Sequence, residues 1–317
     1  MDSTGVDRFD TSRFEASRNR LASLAYRLLG SAADAQDAVQ DAFLHWQAAD
    51  RQQIKVPEAW LTKVVTNLCL DRLRSAQARR ERAAGAWFPE LLLDGDPMLG
   101  PAETFEQRES VSLAMLTVME RLSPVERAVY ILREAFSYGH AEIAEILDIS
   151  ESASQQHLHR ARTRVTATRR GGREVDPASA RRIVEEFLTA ATSGRTDRLV
   201  ALLTDDVIAI SDGAGLAAKL LRYDTPQRVA AVMRGGFKPT PAKRRLAGGA
   251  PAIHYALVNG APAILFVLGD QVLGAVAFEV TEDKVAAVRG IAAPARLVRL
   301  TEAWRQHEPE TPLIAQW

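Results

Sequence analysis

The sequence predicts a multidomain chain: two all-α helical domains, the second carrying a helix-turn-helix, followed by an α+β domain. Three observations carry this reading. Apolar residues recur with a helical period over 14–82 and again over 108–170. Glycine and proline interrupt that period at 83–107, and the run GGRE does so at 171–174. From Ile253 onward the pattern becomes short apolar strands separated by turns. The composition, 47% hydrophobic and 25% charged over 317 residues, excludes a collagen-like, mucin-like or wholly disordered chain. No apolar run approaches the ~20 residues a membrane helix needs. The N-terminal MDSTGVDRFD has no apolar core, so no secretory signal is expected. The single cysteine, Cys69, excludes an internal disulfide framework and fits a reducing cytoplasm. No His/Cys cluster has zinc spacing, so neither a metal nor a cofactor is expected.

Each element has a local reason. Leu21, Leu24, Ala25 and Leu28 line one helix face, and Gly30 ends that helix. Ser31 or Asp34 caps the next helix, with Ala35, Ala38, Val39, Ala42, Phe43 and Trp46 as its buried stripe. Pro57 suits a first helical position, and a long helix is expected from there to about Arg82. Its buried face should hold Trp60, Leu61, Val64, Leu68 and Leu73. Val111–Leu122 reads as an amphipathic helix. Ser123, Pro124 and Glu126 form a capping-box start for another. HAEIAEILDIS is a short helix and a tight turn. The helix after it turns Ser154, Leu158, Ala161 and Val165 inward. In the last domain, helices begin at Asp176–Pro177, Thr196 and Thr225–Pro226, and a strand covers Val207–Ile210. IHYALV, AILFVL, VLGAVAFEV and VAAVRGI follow as strands, with Asn259–Gly260 as a hairpin turn. Helices followed by an antiparallel meander make an α+β domain. The expected domains are 10–82, 108–170 and 176–300, with a linker at 83–107 and a tail at 301–317.

Net charge is zero, with 40 basic and 40 acidic residues, but the charges are sorted. Arginines crowd residues 72–82 and again 160–170, while Asp34, Asp37 and Asp41 cluster on one helix face. A neutral chain with two separate arginine clusters can bind polyanion at two places. The short helix, turn and basic second helix around 140–170 form the helix-turn-helix pattern. There, Ser152, Gln155, Gln156 and His159 face outward and suit base edges, while Arg160, Arg162 and Arg164 suit phosphates. The competing readings are a plain three-helix bundle and solvated charged faces.

Taken together, these motifs resemble a bacterial RNA polymerase sigma factor of the extracytoplasmic-function type. The first-domain segments are ASLAYRLLGSAADAQDAVQDAFLHW and PEAWLTKVVTNLCLDRLRSAQARR. The second-domain segment is LSPVERAVYILREAFSYGHAEIAEILDISESASQQHLHRARTRV. The resemblance implies a cytoplasmic protein that is not an enzyme, with RNA polymerase core and promoter DNA as partners and no membrane. It implies core docking by Asp34, Asp37, Gln40, Asp41 and Leu44. Lys63, Asn67, Arg72, Arg74 and Arg79 would serve the −10 element, and the helix-turn-helix the −35 element.

The third domain is similar to the SnoaL-like, or NTF2-like, cone that some such sigma factors carry. Their linker motif is matched by Trp87, Phe88, Pro89 and Glu90. Their DGGGK-like loop is matched by Asp212, Gly213, Ala214 and Gly215, with no lysine until Lys219. Their NPDKL-like motif is matched by Ala293, Pro294, Ala295, Arg296 and Leu297, without its Asn and Asp. The resemblance implies interdomain regulatory contacts at these three places. Composition adds that Trp87, Phe88 and Leu91–Leu93 are too apolar for a free tether. The strand faces are nearly all apolar. His254 and Tyr255 lie on the first of them, and Asp205, Asp206 and Asp212 near loops. The domain therefore reads as regulatory rather than catalytic, with a small apolar ligand as a candidate occupant of its cone. The rival functional class is a ligand-responsive helix-turn-helix regulator that does not act through polymerase core. A weaker third reading is a SnoaL-like enzyme fused to a DNA-binding module. The acidic-then-basic first domain discriminates, because an autonomous regulator needs no such pair of helices.

Overall fold

A computed structural model describes residues 3–80, 88–100, 110–168, 175–215 and 220–317, with side chains at 3–11, 51, 76–80 and 167–168 outside the description. The chain divides into two units, 1–83 with 95–169, and 84–94 with 170–317. The expected linker is thus shared between them, its first half belonging to the second unit.

The described helices of the first unit are α1 (Ser3–Leu29), α2 (Ala32–Ala48), α3 (Pro57–Arg80), α4 (Leu113–Met119), α5 (Pro124–Glu134), α6 (His140–Leu147) and α7 (Glu151–Thr168). Side-chain caps set their starts. Ser31 Oγ accepts from the Asp34 amide at 3.2 Å. Ser123 and Glu126 form the reciprocal capping box, at 3.3 and 3.0 Å. The α2 stripe is buried as its period requires, except Phe43, which is half-buried and stacks on Phe14 at 4.9 Å. On α3 the expected face is rotated. Leu61, Val65, Cys69, Leu70 and Leu73 are buried, whereas Trp60, Val64 and Leu68 are half-exposed. The cause is packing on two sides, since α3 meets α1 and α2 and also α5 and α6. A helix with neighbours on two sides shows no single stripe.

The second unit holds α8 (Pro177–Thr192), α9 (Thr196–Ala201), β1 (Leu203–Ser211), β2 (Leu221–Tyr223), α10 (Pro226–Phe237) and α11 (Pro241–Ala247). Then come β3 (Ala252–Val258), β4 (Ala261–Leu268), β5 (Gln271–Thr281), β6 (Lys284–Ile291) and α12 (Pro294–Arg305). The six-stranded sheet runs β2-β1-β6-β5-β4-β3. The meander is antiparallel as expected, but β1 joins it parallel to β6, making the sheet mixed. One sheet face packs on α8, α9 and α10 around Phe187, Phe237 and Phe278. Leu297, Leu300 and Trp304 of α12 are buried, and the helix packs on β5.

The expected tail is structured. Residues 294–305 are helical, and Ile314 then pairs with Ile253 through two backbone hydrogen bonds, of 2.8 and 3.3 Å. Trp317 is buried in the core cluster, its indole N–H donating to the Phe237 carbonyl at 2.6 Å.

One glycine is fixed by contact in the first unit. Gly100 has φ of 69°, and a Cβ there would lie 2.4 Å from Ser23 Oγ on α1. Gly100→Ala should lower stability by about 2 kcal/mol, read from the urea midpoint.

Candidate nucleic-acid interface

The helix-turn-helix is built by α6, a turn and α7. Asp148 takes the left-handed conformation, φ 54°, that ends α6. Ser150 Oγ accepts from the Ala153 amide at 3.1 Å and caps α7. His140 Nδ1 lies 2.9 Å from the Oγ of buried Ser154, bracing the two helices. Leu158, Ala161 and Val165 are buried beside it. The outward face is left to Ser152, Gln155, Gln156 and His159, all exposed. This is the geometry by which a helix presents side chains to base edges.

The three arginines next to that face are not free. Arg160 donates to Glu126 at 3.2 Å, Arg164 also binds Glu126, and Arg162 binds Glu134 at 2.7 Å. Each stays about half-exposed, so these arginines are positioned by acids of α5 rather than released for phosphates. Burial pushes the Glu126 carboxyl up in pKa. Hydrogen bonds from Ser123 and the charges of Arg164 and Arg160 outweigh this and hold it below its ordinary value.

On α2, Asp34, Asp37 and Gln40 are exposed, Asp41 is half-buried, and Leu44 is 54% exposed. The face is acidic with one apolar side chain standing out. Arg72, expected on the −10 surface, folds onto this acidic face instead. It donates to the Asp34 carbonyl at 3.0 Å and to Asp41 at 2.6 Å, with Asp37 at 3.9 Å. Opposite charge one helix away captured it.

The other −10 candidates are dispersed. Asn67 is half-buried, and exposed Arg74 pairs with Asp71 at 3.1 Å. The Arg79 side chain lies outside the description. Lys63 reaches across to the helix-turn-helix, donating to the Glu145 carbonyl at 2.8 Å and to Asp148 at 2.6 Å.

Lys63 is one of several ties between the two helical domains of the first unit. Arg20 of α1 donates to the Tyr138 hydroxyl at 2.6 Å and to Thr62 at 3.1 Å. Buried Arg27 donates to Ser110 Oγ and to the Leu99 carbonyl, both at 2.8 Å. Buried Arg127 donates to the Leu28 carbonyl at 2.8 Å and to Met119 and Glu120. Burial lowers the Arg27 pKa to about 10 and that of Arg127 to about 9. Sequence reasoning missed these arginines. The available signal was a cation inside an apolar stripe, as in LASLAYRLL.

In the second unit the three motif segments are connected. Asp212 is buried and its carboxylate accepts from the amides of Ala214, Ala292 and Ala293, at 3.0, 3.0 and 2.9 Å. It ties the Gly213–Gly215 turn to the start of α12, where Pro294 takes the first turn and Leu297 is buried. Arg296, also in that first turn, donates to the Phe88 carbonyl at 3.1 Å. Phe88, Pro89 and Leu91–Leu93 are buried, and Glu90 is half-exposed. The backbone of Leu92 exchanges two 2.9 Å hydrogen bonds with Asn259, one to its side chain. Asp94 donates to the Leu257 carbonyl at 2.9 Å. The β3–β4 turn and Arg296 therefore receive the linker, while Asp212 acts within the domain. Trp87 lies outside the described residues.

His254 and Tyr255 face opposite sides of β3. His254 meets Trp304 at 5.0 Å, and Tyr255 lies under Arg181 at 4.8 Å. They form no catalytic pair. Among the described residues, no cluster of His, Cys, Asp and Glu has metal-binding geometry, and no helix is long and apolar enough to cross a membrane.

Residues 13–79 match the family model Sigma-70 region 2, and residues 112–165 match Sigma-70, region 4. The ECF RNA polymerase sigma factor SigJ of Mycobacterium tuberculosis H37Rv is 41% identical over 215 residues, 67% of this chain and 68% of that protein. The probable ECF RNA polymerase sigma factor SigI of the same organism is 30% identical over 292 residues, 90% of this chain and 94% of that one. The crystal structure of M. tuberculosis SigJ matches with a TM-score of 0.66 at 32% identity, covering 91% of this chain and 98% of that one.

The Glu126 network gives a pH-dependent prediction. A carboxyl held below its ordinary value adds stability above the unfolded pKa and loses it as pH falls through the folded one. Glu126→Gln should lower Tm at pH 7 by several degrees, with the difference narrowing below the ordinary value of 4.5.

Proposed function

We propose a closed-to-open cycle for this chain, which belongs to the extracytoplasmic-function family of RNA polymerase sigma factors. It directs promoter-specific transcription through sigma regions 2 and 4. The reading adds that the described arrangement is the closed, DNA-free state, and that polymerase core opens it. Its site assignments are those of the sequence, apart from Arg72, which lies on the α2 acidic face. The α2 acidic face with Leu44 docks on core, region 2 engages the −10 element, and Gln155, Gln156 and His159 read the −35 element. Arg160, Arg162 and Arg164 exchange carboxylates for phosphates on binding.

The observation that supports the cycle is Lys63 bound to the helix-turn-helix at Asp148. The −10 and −35 elements are about 25 base pairs apart, or about 85 Å at 3.4 Å per pair. A lysine of the −10 surface cannot touch the −35 reader and engage its own element at once. Arg80 and Ser110 are joined by a segment that spans about 100 Å only if nearly fully extended. Opening therefore needs most of the linker free. The second unit holds 88–94 by four hydrogen bonds to the segment's backbone, two of them with side chains, and by buried Leu91–Leu93, so it restrains opening in cis. In this reading the C-terminal domain is regulatory and non-catalytic, and the protein works in the cytoplasm.

A small apolar ligand enters this reading as a replacement for Trp317. Phe187, Phe237, Phe266 and Trp317 fill the cone interior, and a ligand of similar shape would displace that indole. Trp317→Ala should cost about 3 kcal/mol, with free indole restoring part of the lost Tm.

The cycle is tested by loosening the closed state away from the reading faces. Arg20→Ala with Asp148→Ala should raise promoter binding by free protein about tenfold while leaving core-dependent run-off transcription intact. Unchanged binding by the free double variant would contradict the closed state. Loss of run-off product by wild-type protein with core would contradict the sigma assignments themselves.

A further inference from the structure

From Thr225 to Gly269 the chain contains no acidic residue, yet it carries six lysines and arginines: Arg228, Arg234, Lys238, Lys243, Arg244 and Arg245. In a chain with equal numbers of acids and bases this is a basic imbalance that the promoter-reading regions do not absorb. The six lie on α10, its C-terminal turn and α11. Lys243 is structural. Its ammonium donates to the carbonyls of Gly235, Gly236 and Lys238, at 2.5, 2.8 and 2.9 Å, closing the end of α10 and bringing α11 beside it. Arg244 is partly used, donating to the Trp317 carbonyl at 3.0 Å. Arg234, Lys238 and Arg245 are exposed and have no acid partner among the described residues. Arginines 160, 162 and 164 of the helix-turn-helix are each held by an acid instead.

We propose that the α10–α11 face of the C-terminal domain is an accessory, sequence-independent contact for the DNA phosphate backbone. It rests on the sigma assignment only in that this assignment brings DNA to the protein. Unpaired cations on a rigid helical hairpin gain by replacing condensed counterions on a duplex. No side chain on this face has the pattern of a base reader, so the contact would supply affinity and salt dependence, not promoter choice. A duplex is favoured over an acidic protein because the cations are spread along two helices with no exposed aromatic anchor among them, the one large apolar side chain that stands out being Leu246.

The test is anisotropy of the full-length protein on a fluorescein-labelled 40-base-pair duplex of arbitrary sequence, from 50 to 300 mM KCl. The variant is Arg234→Gln, Lys238→Gln and Arg245→Gln together, all surface positions. A control triple, Arg182→Gln, Arg195→Gln and Arg305→Gln, carries the same net charge. The α10–α11 triple should flatten the log–log salt slope by about 3 and weaken binding at least tenfold at 100 mM KCl, with the control close to wild type. An unchanged slope would overturn the proposal, as would an equal loss in the control. Loss of core co-purification with an unchanged DNA slope would also overturn it, assigning the face to protein. Run-off transcription by the triple at low salt should persist, which separates failure here from failure of the sigma assignment.

Discussion

The guanidinium groups of Arg27 and Arg127 are the polar centre of the first unit. Both are almost wholly buried, and each donates to groups that other segments supply, Arg27 also to Ser23 of its own helix. Arg27 gathers Ser110 and Leu99 onto α1, and Arg127 joins α5 to the end of α1. A charge out of water is tolerated only where its hydrogen bonds are complete, and removing one partner of such a group costs several kcal/mol. These two residues therefore fix how sigma regions 2 and 4 meet. The more exposed ties around them, Lys63 to Asp148 and Arg20 to Tyr138, are individually weak. The joint is thus strong at its centre and loose at the edge that carries the promoter-reading faces. In the proposed cycle that distribution suits a closed state that core opens by binding the open form more tightly.

In the proposed cycle the second unit acts on the same equilibrium through the linker. Asn259 sits at φ 53° in the turn between β3 and β4 and is almost fully buried, because its side chain and amide both bond Leu92. One residue so closes a hairpin and holds the tether. Arg296 holds Phe88 from α12, and Asp212 sets where α12 begins. The three motif segments are joined by hydrogen bonds within one unit, ending on the linker backbone.

Much of this was legible in the sequence because its causes are local. The capping box at Ser123 and Glu126, the stripe of α2, the inward face of α7 and the turn at Asn259 all depend on residues a few positions apart. The apolar composition of 88–93 also announced a packed linker. What was not legible depended on neighbours distant in sequence. The α3 face was displaced because two layers pack on it. Arg72 was read as a DNA contact because nothing in its own helix shows that Asp34 and Asp41 face it. The pairing of Arg160, Arg162 and Arg164 with α5 was hidden for the same reason. The helix at 294–305 was masked by reading Pro294–Leu297 as a motif rather than a helix start, and β2 is too short to show a period.

The most direct test of the closed state is a distance. Spin labels on cysteines introduced at Ser75 of α3 and Thr166 of α7, both exposed and neither assigned to a reading face, leave buried Cys69 unlabelled. Double electron–electron resonance would then be recorded for the free protein and for its complex with core and promoter DNA. The closed-to-open cycle gives a short, narrow distribution for the free protein and a displacement of several tens of Å in the complex. The same distribution in both samples would contradict it.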